Sequence, residues 1–284
     1  MEALNHWLNE IQHNGLGKEL YDTTGLICTI IMYIAILWYV WRQRINPIKG
    51  IIIGWIVRMF LGYAQHLLTW YQRDFDLKRY MGTANIGYAM ILLPLFCWLC
   101  DWTFNIHRGT SGELAAVTTM AWHWLGRSGC TFAGCCYGIP CAWGVYSDGP
   151  DANTFPVCWL ESLIALGIFI FLLVRMFRRG CMPEKNASRF RVVNWYYRRR
   201  RLPDNGRALP YTLLFYGTGR FFTEFLRYHP KEDILFGFLP EFSILALLMA
   251  LLGGFLLYRN IRKSNDSAIA EEEPQLPELS GQRR

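Results

Sequence analysis

The chain has 284 residues, of which 52% are hydrophobic, 16% aromatic and 18% charged, with a net charge of +7. That composition excludes an ordinary soluble domain, and the apolar residues fall in long blocks of the kind that cross membranes. No nucleic-acid recognition motif accompanies the positive charge, so no nucleic-acid partner is expected and membrane topology accounts for the charge better.

Residues 1–20 are expected to form an amphipathic surface segment, not a cleavable leader. Glu2, His6, Glu10, His13, Lys18 and Glu19 interrupt any apolar core, while Leu4, Trp7, Leu8 and Ile11 share one helical face. A membrane domain is expected over 21–262, all-α, with seven transmembrane helices. The first span reads as Thr23–Trp41, the second as Ile51–Tyr71, and a polar loop follows over Gln72–Tyr80. The third reads as Met81–Cys100, interrupted by Pro94, and the fourth as a short Glu113–Leu125. Tyr137–Phe155 is rich in Pro, Gly, Asp and Asn and reads as loop. The fifth span reads as Val157–Val174, the sixth as Ala208–Leu226 and the seventh as Phe242–Tyr258. Residues 263–284 read as a disordered acidic tail.

Lys and Arg concentrate after spans one, three and five, above all in the 175–207 loop with its run Arg198–Arg201. The positive-inside rule makes those loops cytoplasmic. The N-terminus then lies outside and the C-terminus in the cytoplasm, although Arg73, Lys78 and Arg79 fall on the outer side.

The stretch from Gly126 to Gly138 follows the fourth span and packs four glycines, three cysteines and Arg127 into a short run. An arginine at a membrane helix end must pair, snorkel or meet a ligand. Two readings stand: a close-fitting pocket for an anion, or a small-residue packing seam with a snorkelling arginine. A second constellation closes the sixth span, where Arg220, Glu224 and Arg227 share one helical face. Glu224 can hold both guanidiniums and leave donors for a phosphate; the alternative is a buried triad that only fixes helix packing. The expected topology brings Arg127 and Arg220 to the same outer depth.

These residues together resemble the prolipoprotein diacylglyceryl transferases. The likeness rests on Gly126-Arg127-Ser128-Gly129 with Phe132, Gly134 and Tyr137-Gly138, then on Phe155-Pro156 and Leu160-Glu161-Ser162. It closes on Tyr216-Gly217-Thr218-Gly219-Arg220-Phe221 and Glu224-Phe225-Leu226-Arg227. The resemblance implies a seven-span enzyme of the bacterial cytoplasmic (inner) membrane with its active site facing outward. It would move the diacylglyceryl group of phosphatidylglycerol onto the thiol of a lipobox cysteine in a secreted prolipoprotein, releasing glycerol phosphate. Arg127, Arg220 and Glu224 become the expected catalytic residues, the arginines holding the phosphate. Gly126, Gly129, Cys130, Cys135, Tyr137, Glu161 and Arg227 become expected substrate-binding positions. No cofactor or metal is required by that chemistry.

The sequence departs from the family pattern in three places. Cys130 stands where an asparagine is usual and Cys135 where a glutamate is usual, a change shared with a branch carrying Gly-Cys-Cys-Tyr-Gly. The family's His-Gly-Gly motif has no counterpart in Met81–Gly87. Candidate proton acceptors are then His66, His123, Glu161 and Glu224. Among the nine cysteines, Cys28, Cys97, Cys100, Cys158 and Cys181 read as scattered structural residues, and Cys130, Cys135, Cys136 and Cys141 as a cluster. Their spacing is not that of a CxxC zinc site, and small pocket residues, a disulfide, catalysis or a metal all remain open. Two alternatives keep the lipid site: a different acceptor, or a non-catalytic phospholipid-binding protein.

Overall fold

The computed structural model describes residues 1–72, 86–180, 195–196, 204, 206–229 and 234–272. The Arg73, Lys78 and Arg79 loop, the start of the expected third span, most of the basic 175–207 loop and the tail beyond 272 lie outside the described residues.

Among the described residues eight long elements are helical: α1 Glu2–His13, α2 Leu16–Gln43, α3 Pro47–Gln72, α4 Ile86–Thr103, α5 Thr110–Phe132, α6 Val157–Arg178, α7 Ala208–Glu224 and α8 Glu241–Glu272. Five of them are long and apolar enough to cross a membrane: α2, α3, α4, α6 and α8. Their large apolar side chains point outward, as Leu26, Ile30 and Ile34 do on α2 and Leu247, Leu251 and Phe255 on α8. Such a surface suits lipid and not water. The expected fourth and sixth spans, α5 and α7, do not meet that measure. α5 explains why. It is buried on every side from Ser111 to Ala121, including Thr118 and Thr119. A helix that other helices surround can be small and polar, because its neighbours face the lipid.

Several boundaries differ from the sequence reading. Gly15, with φ of +75°, turns the chain between α1 and α2, so residues 16–20 open the second helix and do not close the first segment. α5 runs on to Phe132 and makes the first half of the glycine–cysteine stretch helical. α8 continues past residue 263 to Glu272. The structure is mostly helical, in keeping with the all-α expectation, with two short strand pairs added. The segment read as loop over 137–155 holds an antiparallel hairpin, β1 Pro140–Ser147 with β2 Ala152–Thr154. A second small pair, β3 Ile234–Leu235 with β4 Leu239–Pro240, precedes α8. In both, turn residues bend the chain back on itself at a helix end.

The hairpin gives α1 its place. Leu8 and Ile11 are buried against Val145 and Tyr146, with Phe132 beside them. Asn5 closes the contact by donating to the Gly144 carbonyl at 3.1 Å and accepting from the Tyr146 amide at 3.1 Å. Gln12 donates to the Thr131 carbonyl at 3.0 Å and accepts from the Asp148 amide at 2.7 Å. The amphipathic face read in the sequence therefore packs on the hairpin and the end of α5. At the other side of the bundle α7 and α8 meet closely. A Cβ at Gly217 would lie 2.6 Å from the Ala250 amide nitrogen, and one at Gly253 would lie 2.5 Å from that of Leu214. Only glycine permits that approach, which locks α7 and the arginine it carries.

Candidate active site

Three helix ends converge beside the β1–β2 hairpin: the last turns of α5 and α7 and the first turns of α6. Each supplies charge. α5 brings Arg127, α6 brings Glu161, and α7 brings Arg220 and Glu224, with Arg227 just past its end. The i,i+4 spacing puts His123 one turn inward of Arg127, and Tyr216 one turn inward of Arg220. Arg227 is held by backbone pairing, because Tyr137–Ile139 runs antiparallel to Leu226–Tyr228. The Ile139 amide donates to the Leu226 carbonyl at 3.0 Å and the Tyr228 amide to that of Tyr137 at 3.2 Å. Gly138 is what allows it: a Cβ there would come within 2.7 Å of the Leu226 oxygen.

Glu161 is the hub. Arg127 Nε donates to its Oε2 at 2.5 Å, and Arg227 Nη2 to its Oε1 at 2.5 Å. Arg220 Nη1 donates to the same Oε1, and Thr223 Oγ1 reaches it at 3.4 Å. Glu224 pairs with Arg220 Nη2 and stands 3.9 Å from Arg227 Nε. Its Oε2 lies 3.1 Å from His229 Nε2. The side chains of Glu161 and Glu224 are 1% and 0% exposed, so these pairs act out of bulk water, where electrostatic interactions are strong. Three guanidiniums face two carboxylates, leaving one positive charge in excess. That excess over the carboxylates leaves room for an anion.

The sequence assigned Glu224 the task of holding both α7 arginines. The structure gives most of that task to Glu161, which touches Arg127, Arg220 and Arg227. Arg127 and Arg220 sit on the two oxygens of one carboxylate. Gly129 lies against Thr24 and Tyr21, where a Cβ would be 3.2 Å from Thr24 Cγ2; Gly126 has ordinary space toward Trp122. Both are helical and pack α5 against its surroundings. Tyr137 is half-buried, its ring 5.3 Å from that of Tyr228 on the segment that carries Arg227.

Two imidazoles approach the cluster. Buried His123 receives the Tyr216 hydroxyl at 2.7 Å on Nε2, and its Nδ1 has no hydrogen-bond partner. His229 Nε2 also lies 2.9 Å from the Glu224 carbonyl. His66, on α3, is exposed. The sequence reading missed His229, Tyr216, Thr223 and Cys158 as parts of the site. Tyr216 was legible one helical turn before Arg220, and Cys158 one turn before Glu161.

The cysteines gather on the other flank of Arg127. Its Nη1 lies 3.7 Å from Cys130 Sγ and 3.8 Å from Cys136 Sγ. Cys135 Sγ is 3.9 Å from Cys136 Sγ. Buried Cys158 donates to the Cys136 carbonyl at 3.0 Å. Hydrogen bonds from Cys130, Cys135 and Cys158, together with the Arg127 charge, hold the Cys136 thiol well below its ordinary range. Every described cysteine is a free thiol, and Cys141 stands apart from this group.

The sequence model of the prolipoprotein diacylglyceryl transferase family matches residues 24–259. A phosphatidylglycerol–prolipoprotein diacylglyceryl transferase 2 of Clostridium perfringens (strain 13 / Type A) is 28% identical over 146 residues, which cover 49% of this chain. The match spans 46% of that relative's own length.

Proposed function

Because the chain belongs to the prolipoprotein diacylglyceryl transferase family, we propose that it moves the diacylglyceryl group of phosphatidylglycerol to a lipobox cysteine of a secreted prolipoprotein. The observation that carries this reading is the cluster of Arg127, Arg220 and Arg227 on Glu161 and Glu224, with one positive charge left over. A phosphodiester carries one negative charge, and guanidinium matches its oxygens bidentately. Glu161 and Glu224 preorganise the guanidiniums, so little rearrangement is needed when charge builds on the departing phosphate.

In the proposed step the acceptor sulfur attacks the glycerol carbon that bears the phosphate. A C–S bond forms, the C–O bond breaks, and the electron pair leaves with glycerol phosphate. Arg127 and Arg220 stabilise that leaving group. The thiol proton passes to an imidazole. His229, oriented by the Glu224 carboxylate, and His123, oriented by Tyr216, are both within the cluster's reach. A carboxylate that orients an imidazole is the arrangement of a general base, which supports His229.

The same reading makes α5 and α7 the two central spans of a seven-span fold, shielded from lipid by the five apolar helices. The N-terminus then faces outward, the C-terminus the cytoplasm, and the site the outer surface of the inner membrane. Basic residues at the end of α2, Arg42 and Arg44, and at the end of α6, Arg175, Arg178 and Arg179, support that orientation.

The decisive assay mixes headgroup-labelled phosphatidylglycerol with a lipobox peptide and the detergent-solubilised protein. Transfer to the peptide thiol, with stoichiometric release of glycerol phosphate, is the expected result. Labelled-lipid turnover without peptide modification would point to another acceptor, a reading that the thiols at Cys130 and Cys135 favour. Lipid binding with no turnover under any acceptor would leave only a lipid-binding protein.

A further inference from the structure

The thiol group beside Arg127 is not needed by the ion network, and its geometry has its own meaning. The sulfurs of Cys130, Cys135 and Cys136 all lie within 4.8 Å of one another. The 3.9 Å between Cys135 Sγ and Cys136 Sγ is close to the ~3.8 Å edge of a tetrahedral site with metal–sulfur bonds of about 2.3 Å. The spacing in sequence hides this. α5 ends at Phe132 and Gly134, at φ of +64°, turns the chain back, so that the Cys135 amide donates to the Cys130 carbonyl at 3.3 Å. Residues five and six positions apart are thereby stacked as ligands.

The surroundings suit thiolates. Arg127 Nη1 lies 3.7 Å and 3.8 Å from Cys130 and Cys136, the position of an outer donor that stabilises anionic sulfur. Cys158 fixes the loop by donating to the Cys136 carbonyl at 3.0 Å. Cys130 is buried, Cys136 half-buried and Cys135 exposed, so an ion has an entry path. A disulfide would use two of the three sulfurs and strand the third beside it, whereas one cation uses all three.

We propose that Cys130, Cys135 and Cys136 form a thiolate site for a thiophilic divalent cation, zinc in the first instance, on the rim of the arginine cluster. Loading forms three metal–sulfur bonds and gives to solvent the protons of those thiols still protonated, with no change in oxidation state. Neither the lipid chemistry nor the family likeness calls for this site.

The test uses the full-length protein in detergent, isolated without chelator or reductant. It is incubated with Zn2+, desalted, and its zinc measured per chain by elemental mass spectrometry; Co2+ serves as the optical probe. The expected result is one zinc per chain and a cobalt–thiolate charge-transfer band. Cys130→Ser, Cys135→Ser and Cys136→Ser should each weaken zinc binding by about tenfold or more, and Cys141→Ser should leave it unchanged. Absence of retained zinc and of the cobalt band in the unsubstituted protein would overturn the proposal. So would equal zinc binding in all three serine variants, or a disulfide mapped between any two of these cysteines in the protein as isolated. None of these readouts involves lipid transfer, so failure here leaves the transferase reading standing, and the reverse also holds.

Discussion

Two buried ion networks stand at the two ends of α5, and they differ in charge. At its start, Glu113 receives the Tyr39 hydroxyl at 2.9 Å and pairs with Arg179. Asp204 holds Arg175 at 3.2 Å and stands 4.0 Å from Arg179. Among the described residues, two guanidiniums meet two carboxylates there. At the far end, roughly 20 Å along the helix axis, Arg127 joins a set in which three guanidiniums meet two carboxylates. A balanced network braces helices and needs nothing more. An unbalanced one, equally dry, has room for an anion; among the described residues only the Cys130 and Cys136 thiols beside Arg127 could share its excess charge. On the proposed reading, the difference separates a structural brace from a binding site.

The comparison breaks most completely at its hub. Glu161→Gln keeps the shape but removes the charge that three guanidiniums share. The variant should lose about 3–5 kcal/mol of stability, the usual cost of stranding a buried charge. Lipid transfer should fall below detection. A melting curve in detergent and the transfer assay read the two effects together. A variant that melts and transfers like the parent would remove Glu161 from the centre of the site.

Arg127→Lys and Arg220→Lys probe the excess charge and not the hub. Each keeps a cation near Glu161 but gives up the planar fork that matches a phosphate. Transfer should fall by about 10²–10³-fold, with a smaller loss of melting temperature than Glu161→Gln shows. Retention of full transfer in either variant would end the phosphate-holding role.

Glu113→Gln is the mirror experiment at the balanced end. It removes one charged partner of Arg179 and the carboxylate that accepts from Tyr39, and should cost about 1–3 kcal/mol. Transfer per folded molecule should stay at the parent level. If transfer fell as steeply as in the Arg127 variant, the two ends would not be separable and the charge comparison would lose its meaning.

The far end was more legible in the sequence than the near one. Arg220, Glu224 and Arg227 announce themselves by helical spacing within one segment, and Arg127 by standing among glycines at the end of an apolar run. The hub was harder. Glu161 is one carboxylate in an apolar helix, and nothing local says that three arginines from elsewhere converge on it. Only tertiary packing brings α5, α6 and α7 to that point. The hairpin was missed because its turn residues read as loop, and the strand alternation is broken by a bulge between Pro140 and Val145. The brace at the start of α5 was missed for a similar reason. Tyr39, Glu113 and Asp204 lie in three separate segments with no shared period. The cysteine group defeated the spacing rule because its ligands meet across a helix end and a left-handed glycine, not within one turn.

A matched pair of hydroxyl deletions gives the finest test of the two ends. Tyr39 and Tyr216 are both almost wholly buried, and each hydroxyl bonds across to α5: Tyr39 donates to Glu113 at 2.9 Å with the Thr110 carbonyl at 3.4 Å, and Tyr216 pairs with His123 Nε2 at 2.7 Å. Tyr39→Phe and Tyr216→Phe should therefore cost similar stability, about 1–2 kcal/mol each. Their effects on transfer should part. Tyr39→Phe leaves a charged glutamate still held by Arg179, far from the excess positive charge, and transfer should be unchanged. Tyr216→Phe frees the His123 ring one turn below Arg127 and Arg220, and transfer should drop by about tenfold through loss of an orienting hydrogen bond. Melting curves that match while rates diverge would fix the difference on position and not on lost bonding, since one hydroxyl is removed at each end. Equal rates in the two variants would instead confine the functional region to the charged shell and exclude the His123–Tyr216 pair from it.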